Sequence, residues 1–441
     1  MKPRCDRVIK GRLLSFSERP TDVTASDCYS YWPKGALAIE NGKIAWIGNA
    51  SDLPERFAEW PIDDHASHLI LPGFIDAHTH YPQMEVIASY GSQLMDWLET
   101  YTFRQEARFA EKVHCEVQAG LFFDELINHG VTTAAVYTTS HPDATTAFFE
   151  EASARNMRMI GGKVLMDRSA PEELTDTPQR AYDESKRLIE TWHETGRLSY
   201  AITPRFAITS SNEQMAAIQS LVAEYPDCYV QTHLSENLFE ISETLRFFSE
   251  AKDYTHVYEQ YGLLGPKSLF GHCIHLSDRE RSALAETGSV AVFCPSSNAF
   301  LGSGLFDYEG FQASNIRLAM GSDMGAGTSC SMLATAADAY KICQLRNCSL
   351  NPLESFYGLT LGNARALSME AEIGTLAVGS EADLVVLNTR ATHAMRTRML
   401  AVESLPEELF VLQTLGDDRA IEETYIAGDA QKSALIAAER I

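Results

Sequence analysis

The chain has 441 residues, of which 45% are hydrophobic and 22% charged, as expected of a globular protein with a large core. Its 36 Lys and Arg against 60 Asp and Glu give a net charge of −24, which argues against nucleic acid or an anionic membrane as partner because both would be repelled. No signal peptide, transmembrane-length apolar run or C-x-x-C pair is present, and the nine cysteines form an odd set. These features predict a cytoplasmic protein with reduced thiols.

The N-terminal part of the chain predicts short β-elements. Residues 35–48 place Asn41 and Gly42 between two apolar runs, the pattern of a hairpin with a type I′ turn. We assign residues 1–68 to the first half of a small β-domain.

From residue 69 to residue 366, strand-like and helix-like segments alternate, which is typical of an α/β fold with a parallel sheet. Segment 210–224 is predicted as one of the helices, with Ser210 and Glu213 as a capping box. Eight βα units predict a TIM-type (β/α)8 barrel, and a doubly wound open sheet is the alternative. The predicted strands are 69–80, 131–139, 158–167, 198–206, 228–236, 268–276, 289–297 and 316–324.

The C-terminal part returns to short β-elements. Residues 383–387 predict a strand and residues 425–429 a turn. Such elements can bury their apolar faces only against a partner, so we expect residues 367–441 and residues 1–68 to form one composite β-sandwich domain beside the barrel.

Histidines and one carboxylate at predicted strand ends indicate a metal site. Asp76, His78 and His80 alternate along the first barrel strand and should project to one face. His233 and Asp323 end the fifth and eighth strands, where barrel active sites are built. A core histidine and an N-cap are the structural alternatives for these two. The predicted ligands His78, His80, His233 and Asp323 suit Zn²⁺, or Fe²⁺ as second choice.

Two further residues complete the predicted chemistry. Glu236 follows His233 by three residues, where a carboxylate could take a proton from a metal-bound water and pass it to a leaving group. His272 directly follows the sixth apolar run and is predicted in the site, whereas His275 is predicted at the surface or a helix entry. The expected reaction is hydrolysis at an electrophilic carbon.

The set of motifs resembles the mononuclear branch of the amidohydrolase superfamily, and within it the guanine deaminases. The resemblance covers nearly the whole chain, although Arg104 stands where the family usually has Pro. It is carried by His80-Tyr-Pro-Gln83, Trp97-Leu-x-x-Tyr-Thr-Phe103, Thr203-Pro-Arg205-Phe206, His233-Leu-Ser-Glu236-Asn, Phe293-Cys-Pro-x-Ser-Asn298, Gly302-Ser-Gly-Leu-Phe306 and Gly321-Ser-Asp323.

The resemblance implies zinc-dependent deamination of guanine to xanthine and ammonia by a metal-bound hydroxide, in a homodimer. Glu236 would shuttle protons, His272 would polarise the attacked centre, and Asp323 would orient the water. Gln83 and Arg205 would hydrogen-bond the purine edge. The implied substrate-binding residues are Gln83, Trp97, Arg205, Phe206, His233, Glu236 and His272.

Three other functions remain open on the sequence. A mononuclear enzyme of this kind could act on another heterocycle, such as 8-oxoguanine, a pterin or a triazine. An inactive relative could serve as a scaffold, although every expected ligand and the shuttle carboxylate are present. The third alternative is a binuclear hydantoinase-like hydrolase. Such relatives bridge two metals with a carboxylated lysine on the fourth strand, and residues 198–206 contain no lysine, so we expect one metal.

Overall fold

The computed structural model describes residues 6–91 and 93–439. Within them, strands occupy the following ranges: β1 Arg7–Phe16, β2 Tyr29–Glu40, β3 Lys43–Asn49, β4 Ile62–Pro72, β5 Phe74–His80, β6 Val131–Tyr137, β7 Arg158–Gly162, β8 Val164–Leu165, β9 Leu198–Pro204, β10 Tyr229–Leu234, β11 Ser268–His272, β12 Val290–Phe293, β13 Arg317–Met320, β14 Leu384–Leu387, β15 Ile421–Ile426 and β16 Asp429–Ala430.

Helices connect and cover these strands. The α-helices are α1 Leu94–Trp97, α2 Phe103–Ala107, α3 Lys112–Asn128, α4 Pro142–Ala154, α5 Pro178–Trp192, α6 Asn212–Glu224, α7 Leu238–Phe247, α8 Tyr254–Gln260, α9 Asp278–Thr287, α10 Pro295–Phe300, α11 Tyr308–Ala313, α12 Met332–Leu345, α13 Pro352–Tyr357, α14 Asn363–Ala366, α15 His393–Arg398, α16 Leu405–Leu415 and α17 Lys432–Glu439. Leu98–Thr102 and Gly358–Gly362 are π-helical turns. None of the helices among the described residues has the length and apolar character needed to span a membrane.

Eight parallel strands form the barrel, in the order β5-β6-β7-β9-β10-β11-β12-β13, with the short β8 beside β9. Its first and last strands meet, because the amide of Asp323 donates to the carbonyl of His78 at 2.7 Å. The predicted (β/α)8 barrel is therefore confirmed, and the open sheet is excluded. Parallel closure brings the carboxyl ends of all eight strands to one rim.

Some predicted element bounds differ from the structure. Predicted strand 69–80 is two strands, β4 and β5, which divide at Gly73. An added Cβ on Gly73 would lie 2.2 Å from Thr132 Oγ1, so the chain can change sheets there only because the side chain is absent. Helix α6 is capped by Ser211, whose hydroxyl accepts from the Gln214 amide, and not by Ser210.

The chain ends form a separate β-domain around a seven-stranded sheet, in the order β16-β15-β14-β4-β1-β2-β3. The predicted hairpin turn is confirmed, with Asn41 at φ 53° and Gly42 at φ 79°. The sheet folds over on itself, since an added Cβ on Gly428, in the β15–β16 turn, would lie 2.7 Å from Ile39 Cγ2 of β2. A shared apolar core fills the fold, and β4 continues past residue 68 to Pro72.

A buried ion-pair network joins the β-domain to the barrel. Arg197, just before β9, pairs with Glu381 at 2.5 Å and also with Asp383, while Arg158 of β7 pairs with Glu381 at 2.6 Å. The Arg197 and Asp383 side chains are only 9% and 3% exposed. Removing one partner of such a pair leaves an uncompensated buried charge.

We expect Arg197→Met to destabilise the protein by about 3 kcal/mol and to lower its thermal midpoint, because Asp383 would lose its cation. Thermal unfolding at one fixed scan rate measures this. Arg419→Met is the matched control, since Arg419 pairs with Asp417 at the surface, where a pair contributes about 0–1 kcal/mol. Equal shifts in the two variants would contradict a stabilising role for the buried network.

Candidate metal and substrate site

The barrel rim brings the predicted ligands together. His78 and His80 lie on β5, His233 on β10, and Asp323 in the turn after β13. The side chains of His78, His80 and Asp323 are at most 5% exposed. His272 ends β11 with φ 69°, and Asp323 has φ 49°. Such left-handed backbone at non-glycine residues costs about 1–3 kcal/mol each and is typical of functional sites.

Nitrogen and oxygen atoms of this cluster face one another at short range. Asp323 Oδ1 lies 3.4 Å from His78 Nε2 and 3.2 Å from His80 Nε2. His233 Nε2 lies 3.3 Å from His80 Nε2, and His233 Nδ1 lies 2.6 Å from the Arg205 carbonyl. This carbonyl can only accept, so Nδ1 carries the proton and Nε2 presents its lone pair to the cluster.

The protonation states of the cluster suit a cation. Burial lowers the pKa of His80 to about 4 and holds the pKa of His233 well below its usual range, so both imidazoles are neutral at pH 7. Burial alone would raise the pKa of Asp323, but the close imidazoles of His78 and His80 hold it well below its usual value. No described residue makes a hydrogen bond of good geometry to the buried His78 Nε2. Neutral imidazoles, one carboxylate and an orphaned nitrogen fit a divalent metal.

Glycines give His78 its space. An added Cβ on Gly321 would lie 2.6 Å from His78 Cβ, and one on Gly271 would lie 2.6 Å from His78 Cε1. Asp76 does not join His78 and His80 as expected. Strand β5 shifts register between Asp76 and Thr79, and the Asp76 carboxylate accepts from the amide and hydroxyl of Ser322.

Cys294 is a neighbour of the cluster that the sequence pattern did not indicate. Its Sγ and the ligand atoms of His78, His272 and Asp323 lie within 4.8 Å of one another. Burial raises the pKa of this thiol well above its usual range, whereas the imidazoles of His80 and His233 are neutral at pH 7.

Glu236 and His272 face each other beside the cluster, with His272 Nε2 3.4 Å from Glu236 Oε2. Burial and the charge of Asp323 raise the pKa of Glu236 to about 8. Ser303 donates to Glu236 Oε1 at 2.8 Å, and Asn298 Oδ1 lies 2.9 Å from His272 Nδ1. Ser303 and Asn298 thus hold the two predicted catalytic side chains in place.

A small cavity opens onto these groups. Its polar wall contains Gln83 and Arg205, and its apolar walls contain Trp97 and Phe206. Apolar walls with a few fixed polar groups are usual for a small-molecule site. The lining residues are His80, Gln83, Leu94, Trp97, Leu98, Arg205, Phe206, His233, Glu236, His272, Ser297, Leu301, Asp323 and Ala326.

Glu106 is the main site residue that sequence reasoning missed. It is fully buried, accepts from Gln83 Nε2 at 2.9 Å and pairs with Arg205 Nη1 at 2.8 Å. The one signal in the sequence is an acidic residue three positions after Phe103, beside the Trp97–Phe103 motif.

Other residues noted in the sequence lie outside the cluster. Arg104 is exposed, and His275 Nε2 lies 2.9 Å from the Ser303 carbonyl. Lys163 pairs with Asp176 away from the ligands.

Comparisons with known proteins show the family of the chain. The family model "Amidohydrolase family" matches residues 69–430. Guanine deaminase of Escherichia coli K12 is 46% identical over 96% of this chain and 97% of its own. The solved E. coli guanine deaminase has a TM-score of 0.93 at 42% identity, covering 96% of this chain and 99% of that one. A guanine deaminase from C. acetobutylicum, solved with bound guanine, has a TM-score of 0.87 at 29% identity, with coverage of 96% and 99%. The chain therefore belongs to the amidohydrolase family, and within that family to the guanine deaminases.

Proposed function

We propose that this chain hydrolyses guanine to xanthine and ammonia. The observation that carries the proposal is one buried cavity that joins the histidine–aspartate cluster and Glu236 to a wall of Gln83 and Arg205 between aromatic side chains. A planar purine needs apolar walls and a few fixed polar contacts. Membership of the guanine deaminases supports guanine over the other heterocycles.

We infer that His78, His80, His233 and Asp323 hold one divalent metal, with Zn²⁺ favoured over Fe²⁺ by the imidazole and carboxylate donors. When bound, such a metal supplies Lewis acidity that makes water a nucleophile near neutral pH. The orphaned His78 Nε2 supports this ligand set.

Glu236 moves the protons of the proposed reaction. As a carboxylate it takes a proton from the attacking water while the oxygen bonds to C2, and it passes that proton to the ring nitrogen beside C2. It then takes the hydroxyl proton of the tetrahedral carbon and gives it to the amine. The C2–N bond breaks, ammonia leaves, and C2 keeps the oxygen as a carbonyl. A pKa raised toward neutrality suits both transfers, and Ser303 keeps Oε1 in place.

Other side chains orient the ring and the reacting carbon. Arg205 suits an acceptor such as O6, while Gln83 hydrogen-bonds the same purine. Phe206 and Trp97 supply apolar walls. His272, held by Asn298, lies beside Glu236 and stabilises charge that develops at C2. His233 presents its Nε2 to the same space.

We also propose a homodimer, which the resemblance to the guanine deaminases implies, and a cytosolic location. The eight cysteines of the described residues are all free thiols, which supports a reducing compartment. The acidic net charge supports a small neutral substrate over a polyanion.

Ammonia release from a panel of rings tests the proposed function. With metal content measured by elemental analysis, we expect rapid turnover of guanine and about one zinc per chain. The comparison rings are 8-oxoguanine, isoxanthopterin, cytosine, adenine and a cyclic imide. Turnover of another ring with guanine inert would reject the roles of Gln83 and Arg205, and bound metal without any turnover would indicate a scaffold.

Glu236→Gln tests the proton transfers. We expect kcat to fall by about 10²–10⁴-fold, because the amide can neither accept nor deliver the proton. Metal content should stay unchanged, since Glu236 is not a proposed ligand. Glu250→Gln is the matched control, because Glu250 is an exposed carboxylate just after α7. Full turnover by the metal-loaded Glu236 variant would show that another group moves the protons.

Gly321→Ala tests how tightly the fold holds His78. The new Cβ would lie 2.6 Å from His78 Cβ and must displace the histidine, so we expect metal affinity to fall by about 10- to 100-fold. Gly120→Ala is the control, because its added Cβ meets nothing within 4 Å. Competition with a chelator measures both variants, and unchanged affinity in Gly321→Ala would remove His78 from the ligand set.

A further inference from the structure

A buried carboxylate stands behind the polar wall of the cavity. Glu106 lies on α2 with 0% of its surface exposed. Arg205 Nη1 donates to Glu106 Oε1 at 3.0 Å and to Oε2 at 2.8 Å, and Gln83 Nε2 donates to Oε1 at 2.9 Å. One carboxylate thus contacts both side chains that are proposed to read the purine.

Glu106 decides which end of the Gln83 amide faces the ligand. A carboxylate can only accept, so the amide must turn its NH₂ toward Glu106 and leave Oε1 for the cavity. The structure gives Oε1 no protein donor within the described residues. Gln83 is therefore set as an acceptor for a ring N–H.

The same contact balances the positive charge of Arg205 and still leaves part of its guanidinium to donate hydrogen bonds. Its Nη1 is taken by Glu106, while the described part of the chain offers no acceptor to Nε or Nη2. The Phe103 ring lies 5.4 Å from the guanidinium carbon, and Glu236 is another carboxylate that lines the cavity. Without Glu106, a buried guanidinium would favour an anionic ligand.

We propose that Glu106 is a positioning residue that makes this cavity select a neutral ring, with an acceptor beside an N–H, over an anionic ring of the same shape. The inference rests on the proposed function. Guanine is neutral near pH 7 and has adjacent acceptor and N–H groups. Xanthine, the product, is the more acidic ring, so the same selectivity helps the product to leave once it ionises.

Glu106→Gln separates this role from a merely structural one. We expect KM for guanine to rise by roughly 10- to 100-fold, with kcat per bound metal changed by less than about threefold. Xanthine affinity, measured by calorimetry at a pH below and a pH above its first ring ionisation, should shift toward the anion by about tenfold relative to wild type. Wild type at the same two pH values corrects for titration of the other site groups.

Two variants complete the test. Glu99→Gln removes an exposed carboxylate from the preceding helical turn and should match wild type in both assays. Glu106→Asp keeps the charge but shortens the side chain. It should raise KM and leave the ratio of the two xanthine affinities, above and below the ring ionisation, at its wild-type value. If Glu106→Gln does not fold, a shift of this ratio toward the anion in Glu106→Asp would still contradict the inference.

The inference is overturned if Glu106→Gln leaves the xanthine ratio at its wild-type value, or if Glu106→Asp shifts the ratio toward the anion. It is also overturned if kcat and metal content fall together while KM stays constant. Absence of guanine turnover in wild type would instead reject the proposed function, and xanthine calorimetry would still report on charge selection.

Discussion

The burial of several ionisable groups at one end of a closed barrel is the constraint on which the site depends. Asp323 Oδ1 and His233 Nε2 lie 3.2 Å and 3.3 Å from His80 Nε2. One imidazole proton can satisfy only one of these contacts, and burial holds His233 in its neutral form. A divalent cation satisfies all the lone pairs at once, so the protein gives up local stability to keep a metal-ready geometry.

Charge is balanced in a different way on the substrate side of the cavity. There the cation belongs to the protein, as Arg205, and its counter-charge is the buried Glu106. The histidine–aspartate cluster therefore keeps an excess of lone pairs, while the net charge of the Arg205–Glu106 pair is close to zero. Glu236 lies between these two environments, and the net effect of burial and Asp323 raises its pKa to about 8. We propose that this separation lets one small cavity bind a neutral ring and activate water.

Strand periodicity and the residues at strand ends predicted the barrel, the composite β-domain and the placement of His78, His80, His233 and Asp323 on one rim. They could not predict Glu106, because its importance comes from contacts with Gln83 and Arg205, which are distant in sequence. The hydrogen bonds that Asp76 accepts from Ser322 likewise depend on packing between strands that are distant in sequence. Cap positions such as Ser211 differ by a single residue, a difference that local propensity does not resolve.

The composite β-domain bears directly on the site, although none of its described residues lines the cavity. Strand β4 pairs with β1 and β14 in that domain, and after Gly73 the chain continues as β5, which carries His78 and His80. The Gly73 amide donates to the Asp383 carbonyl at 2.8 Å, and Asp383 pairs with Arg197 beside β9. The strand with the paired histidines is thus held at its start by the β-domain and at its end by Asp323. Rigid support at both ends fixes the positions of the two predicted ligands, which a loop-borne pair would not achieve.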